Sequence, residues 1–229
     1  MGRKKKEYPE VRGQMKPGDI IAFSGKANFS ELIKWATRAP VSHVGIILQS
    51  KLLVDNVPQS GYFNQIIEST SLDGFSGVSI SRLSDRIETY NGGIWWLPLS
   101  DEVRSKLNFE AFYNFLLHQE KKPYDTPQAV KSALDALDNV PLLSAATHNV
   151  EDFSKFFCSE LAAAALEKGG AIGSINSAEV TPIDLCMFSI YQKDYYLLKY
   201  IVDKDMDKDM EKATHIRAYN SISPEGWGE

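Results

Sequence analysis

The chain has 229 residues, 43% of them hydrophobic, which is enough for one domain with a substantial core. Its formal net charge of -5 at pH 7, from 30 acidic and 25 basic residues, disfavours a general affinity for nucleic acid. Its 2 cysteines lie far apart and form no Cys-x-x-Cys pair, which excludes a disulfide framework or a zinc or redox motif and points to a reducing compartment.

The first segment, "MGRKKKEYPEV", is basic and is followed by no apolar stretch. Residues 1–14 therefore read as a solvated, disordered tail rather than a signal peptide or anchor. Lys6 stands where a myristoylation motif needs Ser or Thr. No run is long and apolar enough to span a bilayer, so a cytoplasmic protein without integral membrane association is expected.

"MKPGDIIAF" (residues 15–23) places a Pro-Gly turn before a short apolar strand. A helix follows, capped by Ser30, with Phe29 as a staple, Leu32, Ile33 and Trp35 as its apolar face, and Pro40 as its stop. "VSHVGIIL", "LLVDN", "NQIIEST", "GVSISRL" and "GGIWWLPL" read as successive strands. From Asp101 the pattern turns helical: "DEVRSKLNFEAFYNFLLHQE" predicts one long helix, and a second begins near Thr126 and Pro127. A third carries "KFFCSELAAAALEKGG", with Asp152 or Ser154 as its cap and Gly169 as its left-handed terminator. "TPIDLCMFSIY" reads as a short helix or turn, and "DYYLLKYIV" as a last strand. Residues 203–229 form a charged extension, with "DKDMDKDMEK" solvated. Strands first and helices later predict an α+β fold in which an antiparallel sheet or partial barrel packs against helices, with residues 15–202 as the single domain.

Cys158 stands at the start of its helix, where unpaired N–H groups and the positive end of the helix dipole favour a thiolate. Ala162 to Ala165 would let that helix lie close to a sheet. The alternative is a small apolar filler beside Phe156 and Phe157. His43 lies in an apolar strand on the face of Gly45, whose missing side chain leaves space beside the imidazole; a half-buried histidine satisfied by the backbone is the alternative. His118, His148 and His215 fall in more exposed settings. Glu68 is an acid inside an apolar strand, where burial is costly unless it is paired. On a strand beside His43 it would fix the imidazole tautomer; at an edge it would simply be solvated. Cys186, among Leu185, Met187 and Phe188, reads as core. "GGAIGSIN" lacks the spacing of a dinucleotide loop, Asn28 to Ser30 serves as a helix start rather than a glycosylation site, and no metal-ligand spacing occurs, so no cofactor and no metal are expected.

Taken together, the proline-glycine-aspartate strand, "SHVGI", "IEST", "KPYD" and "FCSELAAAAL" resemble the permuted papain-like superfamily related to NlpC hydrolases, in particular its YiiX-like branch. The resemblance spans roughly residues 15 to 190. It implies a circularly permuted papain-like fold with Cys158 as nucleophile, His43 as base and Glu68 as third member, and with the Tyr124 hydroxyl on substrate or oxyanion. The residues of "KPYD" read equally well as a turn and helix start. The implied activity is a cysteine hydrolase or acyltransferase acting on a small amide or peptide. The alternatives are a lipid acyltransferase or phospholipase, or a non-catalytic module that binds peptide or lipid.

Overall fold

The computed structural model describes residues 2–25, 40–50, 53–54, 57–58, 63–72, 75–122, 157–200, 215–225 and 227. The expected helix from Ser30, the helix from Thr126, the caps Asp152 and Ser154, Tyr124, His148 and the charged run 203–212 lie outside these residues.

The fold is mixed α+β, built on an open seven-stranded sheet. Its strands are β1 (Gly2–Lys5), β2 (Ile20–Gly25), β3 (His43–Gln49), β6 (Gln65–Leu72), β7 (Phe75–Arg82), β8 (Gly92–Leu97) and β9 (Asp194–Lys199). A separate short pair is formed by β4 (Leu53–Val54) and β5 (Val57–Pro58). The order across the sheet is β1-β9-β8-β2-β3-β6-β7, antiparallel throughout except for the parallel pair of β1 and β9. The sheet has two edges and does not close into a barrel.

The central strands are near-continuous apolar runs because both faces of the sheet are covered. On one face, Ile20, Ala22, Val44, Ile46, Ile67 and Trp95 join Leu161, Ala162, Ala165 and Leu166 of the helix α5 (Phe157–Lys168) in the larger core. The buried alanines let that helix approach the sheet closely, as their small size predicts. The opposite face carries Ile21, Phe23, Ile47, Ile66, Ile94 and Trp96, covered by Val11, Met15 and Leu83.

That second layer corrects the expectation of a disordered tail. Residues 2–5 form the edge strand β1, and Val11 of helix α1 (Tyr8–Val11) and Met15 are buried. Backbone pairing with β9 supplies the order, while Lys4 pairs with Asp194 at 2.6 Å and Lys6 with Glu10 at 3.1 Å. The described part of the expected C-terminal extension is likewise part of the domain. Ile216 and Tyr219 are buried, and the Ile222 carbonyl accepts from the Ser189 N–H at 2.7 Å.

Helix α2 (Leu83–Thr89) connects β7 to β8. The long helix expected from Asp101 is two helices, α3 (Asp101–Lys106) and α4 (Phe109–Gln119). The break is chemical. The Asn108 side chain accepts from the Ala111 N–H at 3.1 Å and caps α4, while the Asn108 N–H is satisfied by the Gly169 carbonyl at 2.8 Å. At the end of α5 the left-handed residue is Gly170, with φ 72, rather than Gly169. Gly169 is small for another reason: a Cβ there would stand 2.6 Å from Leu107 Cδ1. Helix α6 (Pro182–Met187) begins with a capping box between Thr181 and Asp184. Asp19, buried at the start of β2, accepts from the Trp96 indole at 3.0 Å and the Leu99 N–H at 2.9 Å, and pairs with Arg104. It ties three elements together and is fully partnered.

Candidate active site

The site forms where β3 begins, because three elements converge there. His43 is the first residue of β3 and Glu68 lies on the neighbouring β6. Cys158 is the second residue of α5. All three are buried, at 3%, 0% and 1% exposure, so water does not dilute their interactions.

Gly45 allows the β3 to β6 approach, but not by leaving a void. A Cβ at that position would stand 2.5 Å from Ile66 Cδ1 and 3.2 Å from Glu68 Cβ. The space that the glycine was expected to leave open beside the imidazole is filled by the side chains that bring Glu68 in. Glu68 Oε2 lies 2.6 Å from His43 Nε2. An ionised carboxylate only accepts, so Nε2 carries the proton and donates. With Nε2 taken by Glu68, the buried His43 Nδ1 is the ring nitrogen left for Cys158 and a reacting group.

Cys158 reaches the same point from the other face. The register between β3 and β6 runs Ile46 to Ile67, Ile47 to Ile66 and Gln49 to Gln65, and so stops short of Val44. The Val44 N–H instead donates to Cys158 Sγ at 3.4 Å. The sulfur thus meets a backbone donor of β3 at the first turn of α5.

The electrostatics follow from these contacts. Burial on its own would lower the imidazole of His43, but the charge of Cys158 and its hydrogen bond, and then Glu68, outweigh it and raise His43 from 6.5 to about 9. For Glu68, burial pushes upward, while the hydrogen bond and charge of His43, and then Arg86, prevail and leave it below its ordinary value. Cys186, fully buried, is pushed far above the normal thiol range by burial first, then by Cys158 and Asp184.

Arg86 was not foreseen from the sequence. It is 7% exposed, and its Nε donates to Glu68 Oε1 at 2.5 Å and its Nη2 to Oε2 at 3.1 Å. Its guanidinium lies 5.3 Å from the Phe23 ring centroid and 5.5 Å from that of Tyr90. Phe23 in turn packs on the His43 ring at 5.2 Å. The only sequence signal was an arginine four residues before a tyrosine in "LSDRIETY", which reads equally well as a solvated helix. Of the remaining candidates, His118 and His215 are exposed. Tyr124 is outside the described residues. Among those residues no group of three His, Cys, Asp or Glu side chains is arranged to hold a metal ion, and no helix is long and apolar enough to cross a membrane.

No protein-family model matches the chain, and no curated protein does. Among solved structures it is similar to one described as the metalloprotein YiiX from Escherichia coli O157:H7, DUF1105, with 18% sequence identity and a TM-score of 0.41, over 68% of this chain and 67% of that one.

Proposed function

We propose that the chain is a cysteine-dependent hydrolase or acyltransferase of the permuted papain-like kind, with Cys158 as nucleophile, His43 as acid and base, and Glu68 as the residue that orients the imidazole. The observation that carries this reading is the buried 2.6 Å bond from His43 to Glu68 beside a thiol that accepts a backbone N–H at a helix start. A histidine oriented by a carboxylate and set against a nucleophile is the arrangement that acyl transfer needs.

In this scheme the Cys158 proton resides on His43 Nδ1, and Sγ attacks the substrate carbonyl carbon, forming a C–S bond. In the same scheme the backbone N–H groups of the first turn of α5 stabilise the developing oxyanion. As the tetrahedral species collapses, the bond to the leaving nitrogen breaks and His43 returns the proton to the departing amine. Water or another acceptor then attacks the thioester, giving its proton to His43, and Sγ leaves. Because His43 is held up to about 9, its imidazolium persists through neutral pH, and the alkaline limb of turnover falls near that value. The favoured substrate is an amide of a small amino acid or peptide. A reducing, cytoplasmic compartment suits such a thiol, and neither cysteine forms a disulfide.

The test uses the two thiols as each other's control. At about pH 6.5, iodoacetamide is expected to label Cys158 well before Cys186, because only a thiolate attacks and burial keeps Cys186 protonated. Equal or reversed rates, read by peptide mass spectrometry on folded protein, would contradict an activated nucleophile.

A further inference from the structure

We infer that Arg86 is a positioning residue for this site: by clamping both carboxylate oxygens of Glu68 it fixes that side chain against His43 and sets the pH range over which the Cys158 thiol reacts. The inference rests on Cys158 being the nucleophile.

The geometry is that of a bidentate clamp. Two donors of one planar guanidinium reach the two oxygens of one carboxylate, at 2.5 Å and 3.1 Å, and leave Glu68 Oε2 still facing His43 at 2.6 Å. A lysine would have a single point of charge and could not hold both oxygens in that plane. The clamp is itself packed in place by Phe23 and Tyr90, and Phe23 also walls the imidazole, so arginine, glutamate and histidine share one packed cluster.

Burial gives the charge of Arg86 its weight. The charged and titratable groups around the His43 and Glu68 pair are Arg86 and Tyr90 from α2 and its C-cap, and Cys158, which acts on His43 from α5. Tyr90 is held above its ordinary value, chiefly by burial, and remains a neutral hydroxyl. With the imidazolium and thiolate formed, Arg86 and His43 are positive while Glu68 and Cys158 are negative, and the cluster is neutral. Without Arg86 the same reactive state buries one uncompensated negative charge, so each proton in the cluster is held more tightly. The whole reactivity profile then moves to higher pH. A mere brace between β6 and α2 would not need this charge, since the β6 to β7 pairing runs from Gln65 to Leu72 and Leu83 already packs beneath it.

The experiment is the rate of iodoacetamide alkylation of Cys158, followed by peptide mass spectrometry from about pH 5 to about pH 10 in wild type, Arg86→Gln and Arg86→Lys, each with its thermal melt. Arg86→Gln keeps hydrogen-bond donors and loses the charge; its labelling midpoint is expected to rise by about one pH unit. Arg86→Lys keeps the charge, and its midpoint stays within a few tenths of a unit of wild type, on the same scale. Superimposable profiles for all three proteins, or equal shifts in both variants, would overturn the role of Arg86. Should Arg86→Gln not fold, Arg86→Met, neutral and of similar length, takes its place: a midpoint about one pH unit higher supports the role, and a wild-type midpoint overturns it. Failure of the nucleophile reading itself looks different, because wild-type Cys158 would then label no faster than Cys186 at any pH.

Discussion

Cys158→Ala is expected to abolish turnover of any amide or ester that the wild-type protein cleaves, while the fold survives. The first half follows from covalent chemistry: without Sγ there is no thioester, and nothing else described at the site is a nucleophile placed beside His43. The second half follows from packing. Cys158 is a small member of the larger core, so removing one sulfur costs about 1 kcal/mol, while the Val44 N–H and His43 lose their partner in it. A side effect separates loss of chemistry from loss of structure. Cys158 is the first of the groups that hold His43 up against burial, so in Cys158→Ala the imidazole titrates well below about 9. Nuclear magnetic resonance of the ring reads that change directly. Persistent turnover in a folded Cys158→Ala protein would point to another active site.

His43→Ala is expected to lower turnover by roughly 10³ to 10⁴, because it removes both the group that takes the thiol proton and the one that returns it to the leaving amine. The alkaline limb near pH 9 vanishes with the residue that produces it. Glu68→Gln keeps the shape and one hydrogen bond but loses the charge, and a preformed ion pair depends less on its third member, so a loss of roughly 10 to 10³ is expected. Glu68→Ala behaves differently. It strands the buried Arg86 without its carboxylate, and breaking such a pair costs about 3–5 kcal/mol of stability. Melting curves should therefore separate the two Glu68 variants even where their residual rates agree. Wild-type rates in Glu68→Gln would show that Glu68 does not orient the imidazole.

The parts of the site that were legible in the sequence are those where a residue violates its surroundings. Glu68 is a carboxylate inside "NQIIEST", and a buried charge requires a partner. His43 sits in an apolar strand beside Gly45, and Cys158 heads a helix whose alanines serve close packing. The central strands were legible for the same kind of reason, since runs such as "DIIAF" and "HVGIIL" are apolar on both faces and need cover on both. Arg86 was not legible, because its burial comes from a tertiary contact with β6 and its own helix looks solvated. Nor was β1, whose order derives from backbone pairing with a strand almost two hundred positions away and not from its lysine-rich side chains. The break at Leu107 and Asn108 did leave a signal, an asparagine ahead of an acidic first turn, but continuous helical spacing of apolar residues masked it.

The central claim is that Cys158 carries an acyl group. Its most direct measurement is mass spectrometry of the intact wild-type protein and its peptides after brief exposure to p-nitrophenyl acetate near neutral pH, followed by hydroxylamine. The account predicts one acetyl group on Cys158, released by hydroxylamine as a thioester should be, absent in Cys158→Ala and slow to form in His43→Ala. Acetyl groups only on lysines, or on Cys186 as readily as on Cys158, would contradict it.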